Sequence, residues 1–168
     1  MNTETAALVS IDEYLRTSYD PDCDYVDGRV EERDLGEYDH SVFQAEVAAY
    51  LIARKKQWGI RALTEQRIRI GPRRVRIPDV CVLPGARPSE KVLTQPPFIC
   101  IEILSEEDSV SRVQQRLDDY LEFGVPHIWL VHPVKKQAWT YSSVGLLLLR
   151  DGVLRASQPL PEIFAEME

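Results

Sequence analysis

Apolar and polar positions along the chain switch between the two periods of regular structure, and the switches lay out its elements. Ser10 followed by Glu13 makes a capping box ahead of Ile11, Tyr14 and Leu15, which predicts a short helix closed by Pro21. Asp27-Gly28 stands between two strand-like runs, residues 23–26 and 29–31, and predicts a tight hairpin. From Asp39 or Ser41 to Trp58 the pattern is helical, with Val42, Ala45, Ala49, Ala53 and Trp58 able to share one face. Gly59 suits the left-handed position that ends it.

Residues 61–70 alternate as a strand, Ile68 and Ile70 on one side, Arg67 and Arg69 on the other. Gly71-Pro72 turns the chain into an expected antiparallel partner, residues 75–83. A proline-rich loop, residues 84–97, leads to a strand over 98–105. Asp108 or Ser109 then caps a helix that reaches Phe123 and stops at Gly124, before a buried strand over 127–131. Residues 137–142, 146–150 and 153–156 read as a meander. Strand, helix, strand over 98–131 is a βαβ unit whose strands should be parallel, while the hairpins supply antiparallel pairs. The fold class expected is therefore α/β, with a mixed sheet and flanking helices in a single domain spanning residues 1–168.

Two of the apolar runs carry an acid where a plain buried strand would have none: Asp79 in Ile77-Pro78-Asp79-Val80-Cys81-Val82, and Glu102 in Ile99-Cys100-Ile101-Glu102-Ile103. Desolvating an isolated carboxylate costs roughly several kcal/mol unless something compensates. A divalent cation shared by both acids is one answer; strand ends meeting water or an arginine are the other.

Composition narrows the classes without choosing among them. A 44% apolar and 28% charged chain is an ordinary globular one. No window of 18 uncharged apolar residues and no basic-then-apolar N-terminus occur, so neither a membrane span nor a secretory signal is expected. Cys23, Cys81 and Cys100 are an odd, unspaced set, which fits buried thiols in a reducing cytoplasm. The net charge of −7 argues against a nucleic-acid coat protein but not against an enzyme that meets DNA through a local basic patch. Arg67, Arg69, Arg73, Arg74 and Arg76, close to Asp79 in sequence, are the candidate patch for backbone phosphates.

Pro78-Asp79 with Glu102 on the following strand resembles the PD-(D/E)XK motif of the restriction-endonuclease-like superfamily. Tyr25-Val26-Asp27-Gly28, His40 at a helix start, Ile101-Glu102-Ile103-Leu104-Ser105, and Tyr120 followed by Gly124-Val125-Pro126-His127-Ile128-Trp129-Leu130-Val131 resemble one bacterial family within it, Uma-two, over roughly residues 11–141. The resemblance implies a restriction-endonuclease-like core with an N-terminal hairpin and a C-terminal β-meander. It implies Mg²⁺-dependent (or Mn²⁺-dependent) hydrolysis of DNA phosphodiesters by a homodimer with no organic cofactor, which joins the cytoplasmic location and the lack of a membrane partner expected from the cysteines and composition. Asp79, Glu102 and the backbone carbonyl of Ile103 would hold the metal, which needs only one or two protein carboxylates. The chain departs from the superfamily at Leu104, where the motif has lysine. In the family the basic residue often comes from the next helix, four positions before the tyrosine, which here is Arg116; a helix-flank ion pair is its alternative role. Glu46 and His40 are further catalytic candidates, and Gln66 a weaker one. The alternative function is an inactive relative that binds nucleic acid or protein; hydrolysis of a smaller phosphoester is a third reading.

Overall fold

The computed structural model describes residues 7–34 and 36–156. Ser10 opens α1 (Ile11–Arg16), its hydroxyl accepting the Glu13 amide at 3.2 Å. The Asp27-Gly28 turn, with φ of 50° and 92°, takes the left-handed pair of angles that matches strand twist and joins β1 (Asp24–Val26) to β2 (Arg29–Glu31). Next come α2 (Tyr38–Ala53) and α3 (Lys55–Trp58), stopped by Gly59 at φ 64°. Then follow β3 (Ile60–Thr64), β4 (Ile68–Gly71), β5 (Arg74–Arg76), β6 (Val80–Pro84) and β7 (Ile99–Ile103). Helix α4 (Val110–Phe123), ended by Gly124 at φ 94°, leads to β8 (His127–His132), β9 (Gln137–Ser142) and β10 (Gly145–Leu148).

These strands make two sheets. A small one runs β2-β1-β5-β4, and a larger one runs β10-β9-β8-β7-β6-β3. In the larger sheet β7 and β8 are parallel, as the helical crossover α4 requires, and the other neighbours are antiparallel. Alternation along β7 divides its side chains between two buried faces. Ile99, Ile101 and Ile103 join Val47, Leu51 and Trp58 of α2 and α3 in one cluster. Cys100 faces the other, packed with Val113, Leu117 and Tyr120 of α4. Each wholly buried Val, Leu or Ile contributes about 1.5–3 kcal/mol, which is why both faces are held closed.

Three expectations are corrected. Residues 61–70 and 75–83 are not two long strands. Each run divides: β3 and β6 pair in the large sheet while β4 and β5 pair in the small one. The break falls at Ile77-Pro78-Asp79, where proline removes a ladder donor and the chain crosses between sheets. Helix α2 buries Val47, Ala48 and Leu51, and leaves Val42, Ala45, Ala49 and Ala53 exposed. With apolar residues nearly all round, that helix offered more than one plausible face. Residues 153–156 form no strand, although Leu154 is fully buried.

Candidate functional site

Strand register brings the two acids together. The β6–β7 ladder ends at Val80–Ile101, and the next residues along are Asp79 and Glu102, near enough for the Asp79 charge to act on Glu102. Both side chains are almost wholly buried. Asp79 is pinned through its own backbone, its carbonyl accepting the Gln44 amide at 2.9 Å and the Glu65 N–H at 3.3 Å.

Each carboxylate is surrounded by donors. Asp79 Oδ2 accepts the Ile103 N–H at 2.7 Å and lies 3.3 Å from His40 Nε2, while Oδ1 accepts Arg33 Nη2 at 2.8 Å. Glu102 Oε1 accepts the Tyr120 hydroxyl at 2.6 Å, and Oε2 accepts Arg116 Nη1 at 3.1 Å. Arg116 Nε also donates to Asp24 Oδ2 at 3.1 Å, so a third buried acid braces the arginine from behind. A narrow cleft opens onto Asp79, lined also by Arg33, Asp34, His40, Ser105, Asp108 and Arg116.

The two acids titrate in opposite directions. Burial pushes Glu102 up, and the nearby Asp79 charge adds to it, against the pull of Arg116 and Tyr120; its carboxyl rises to about 7. Burial also opposes ionisation of Asp79, but His40, Arg33 and the Ile103 amide outweigh it and hold that carboxyl below its ordinary value. Burial lowers and Asp79 raises His40, which ends above its ordinary value. Arg116, its burial outweighed by Glu102 and Asp24, stays a cation.

Of the expected site residues, Asp79, Glu102, His40 and Arg116 converge. Ile103 is present through its N–H, which holds Asp79 in place. Glu46 is not part of the cleft. It is exposed on α2, about 200° around the helix from Gln44, the residue that touches Asp79. Gln66 instead holds the following loop, donating to the Lys91 carbonyl at 2.9 Å.

The arginine patch is largely consumed by ion pairs. Arg67 forks onto Asp22, Arg74 reaches Asp119 and Asp27, and Arg76 bridges Asp24 and Asp119 at 2.9 and 2.6 Å. Arg76 is 2% exposed and cannot lie on a DNA backbone; Arg73 is exposed with its Nε 3.9 Å from Asp27, and Arg69, half-buried, has no ion pair among the described residues. Sequence reasoning missed Arg33, Gln44 and Asp24. Asp24 left a signal, an acid opening an apolar strand; Arg33 left none.

A divalent cation fits the donor set. Asp79 lines the cleft, and the buried Glu102 lies near enough to feel its charge, so the two supply hard carboxylate oxygens of the kind a divalent cation takes. Beside them Arg33 Nε and His40 Nδ1 are buried without hydrogen-bond partners. Among the described residues no group of three or more His, Cys, Asp or Glu is arranged around a metal, so the acids available suit an ion that keeps several waters.

The sequence model of the Uma2 family, described as "Putative restriction endonuclease", matches residues 11–167. A crystal structure from Anabaena variabilis, described as a putative nuclease belonging to DUF820, superposes with a TM-score of 0.78. It is 22% identical, and the match covers 89% of either chain. No curated protein matches the chain.

Proposed function

The chain belongs to the Uma2 family, and on that premise we propose that it is a metal-dependent endonuclease hydrolysing DNA phosphodiester bonds. The observation that carries this reading is the burial of Asp79 and Glu102 near one another just past the end of the β6–β7 ladder, with a cleft leading to Asp79. Asp79 and Glu102 would hold Mg²⁺ or Mn²⁺, which would polarise the phosphoryl group and lower the pKa of a water. Arg33 would release Asp79 as the ion enters and would then be free to pair with substrate phosphate. Arg116, a permanent cation fixed by Asp24, would take the part of the lysine that Leu104 replaces. It cannot accept a proton, so its part is to stabilise charge that grows on the phosphate in the transition state. Glu102, whose carboxyl rises to about 7, can hold or give up a proton near neutral pH. His40, by hydrogen bonding to Asp79, orients that acid. Action as a homodimer on two DNA strands belongs to the same proposal by superfamily analogy.

One observation favours a second reading. Every oxygen of Asp79 and Glu102 already has a protein donor, and Leu104 occupies the lysine position. An inactive relative that binds nucleic acid or protein could rest in this state. Supercoiled plasmid incubated with the protein in Mg²⁺, Mn²⁺ or EDTA separates the two. The expected result is nicking or linearisation with metal, lost in EDTA and in Asp79→Asn, and slowed roughly 100-fold in Arg116→Ala. Intact plasmid throughout would leave the binding module as the reading.

A further inference from the structure

Among the described residues, one set of exposed cations without ion pairs lies away from the arginines nearest Asp79 in sequence. Lys55 of α3, Arg61 of β3, and Arg87 and Lys91 of the loop before β7 line one open groove along β3, an edge strand of the large sheet. All four are exposed, and none pairs with a carboxylate among the described residues. The one acid lining the groove, Glu90, accepts the Thr94 N–H at 3.2 Å and its hydroxyl at 2.9 Å. In a chain of net charge −7, four uncompensated cations around one groove stand against the general trend.

Position ties this groove to the catalytic cleft. Gln66 lines its near end, and the adjacent Glu65 donates its N–H to the Asp79 carbonyl and comes within 3.9 Å of Arg33. Arg61 lies near the far end of β3, paired with Leu83. Five strand residues at about 3.3 Å each span roughly 16 Å, or about five nucleotide steps at 3.4 Å of rise.

We propose that this groove is the track on which the phosphate backbone of a DNA strand lies as it reaches the cleft that opens onto Asp79. The inference rests on the nuclease reading and adds to it a location for the substrate. Lys55, Arg61, Arg87 and Lys91 neutralise successive phosphates, and the exposed aliphatic edge of the groove meets sugar.

Fluorescence anisotropy of the full chain with a fluorescein-labelled DNA duplex, in EDTA and across a salt series, tests it. The variant Lys55→Ala/Arg61→Ala/Arg87→Ala/Lys91→Ala is expected to weaken binding and flatten the log–log salt slope by roughly three to four units, about 0.9 per phosphate contact. Lys55→Ala/Lys91→Ala, with fewer surface changes, should give about half that effect. Lys135→Ala/Arg150→Ala, exposed cations outside the groove, should leave the slope unchanged. A wild-type slope in the fourfold variant, with binding intact, overturns the groove and leaves the nuclease reading standing. A wild-type protein that neither binds nor cuts DNA overturns both.

Discussion

At the residue scale, Glu102 is the most informative side chain, because its environment works against its charge. Its carboxyl moves from an ordinary 4.5 to about 7, chiefly through burial. The folded chain therefore holds that proton more tightly than the unfolded chain does. Glu102 costs the metal-free protein stability as pH rises from about 4.5 through about 7. Asp79 acts with the opposite sign: held below its ordinary value, it stabilises the fold above that value and loses the contribution as pH falls. Melting temperatures of wild type and Glu102→Gln in EDTA should diverge between pH 5 and pH 8, the variant gaining relative to wild type as pH rises. A constant difference across that range would mean that Glu102 titrates as an ordinary surface acid. Both acids were legible in the sequence because a charged residue in a run of Val, Ile and Cys is improbable without compensation. Arg116 was singled out only through the family resemblance, which places a basic residue four positions before the tyrosine. Arg33 was not, since it sits on an irregular stretch and meets Asp79 across 46 residues that no local pattern links.

At the scale of elements, the site depends on the place where the chain leaves one sheet for the other. Arg76 ends β5 and spans Asp24 of β1 and Asp119 of α4; two residues on, Pro78 delivers Asp79 to the edge of β6. Asp24 also takes the Ile77 N–H at 3.1 Å, so one buried carboxylate fixes both the crossover and Arg116. Removing the Arg76 guanidinium leaves Asp24 and Asp119 buried with reduced neutralisation. Arg76→Ala is expected to lower unfolding free energy by about 3–5 kcal/mol in urea titrations; a loss under about 1 kcal/mol would show the network to be dispensable. Sequence pattern found these strands but ran them together, because apolar alternation continues through Ile77-Pro78-Asp79 while the hydrogen-bonding partner changes. It also offered five neighbouring arginines as a DNA surface, since charge in one dimension does not reveal which carboxylates fold back to meet it.

At the scale of the whole molecule, the order of elements and the parallel β7–β8 pair could be read from the chain, while His40 and Arg116 were joined to the two acids only by the family resemblance. What lay beyond it was the division into two sheets and the α2 face that carries His40 and Gln44. The central claim is that the two neighbouring buried acids, held by arginine, histidine and tyrosine, form a cation site. Crystals soaked in Mn²⁺ and measured for anomalous scattering test this most directly. The predicted result is one peak between Asp79 and Glu102, with carboxylate oxygens at roughly 2.0–2.2 Å and the Arg33 guanidinium withdrawn from Asp79. An absent peak, with Arg33 still on Asp79 and Arg116 still on Glu102 at saturating Mn²⁺, would contradict it.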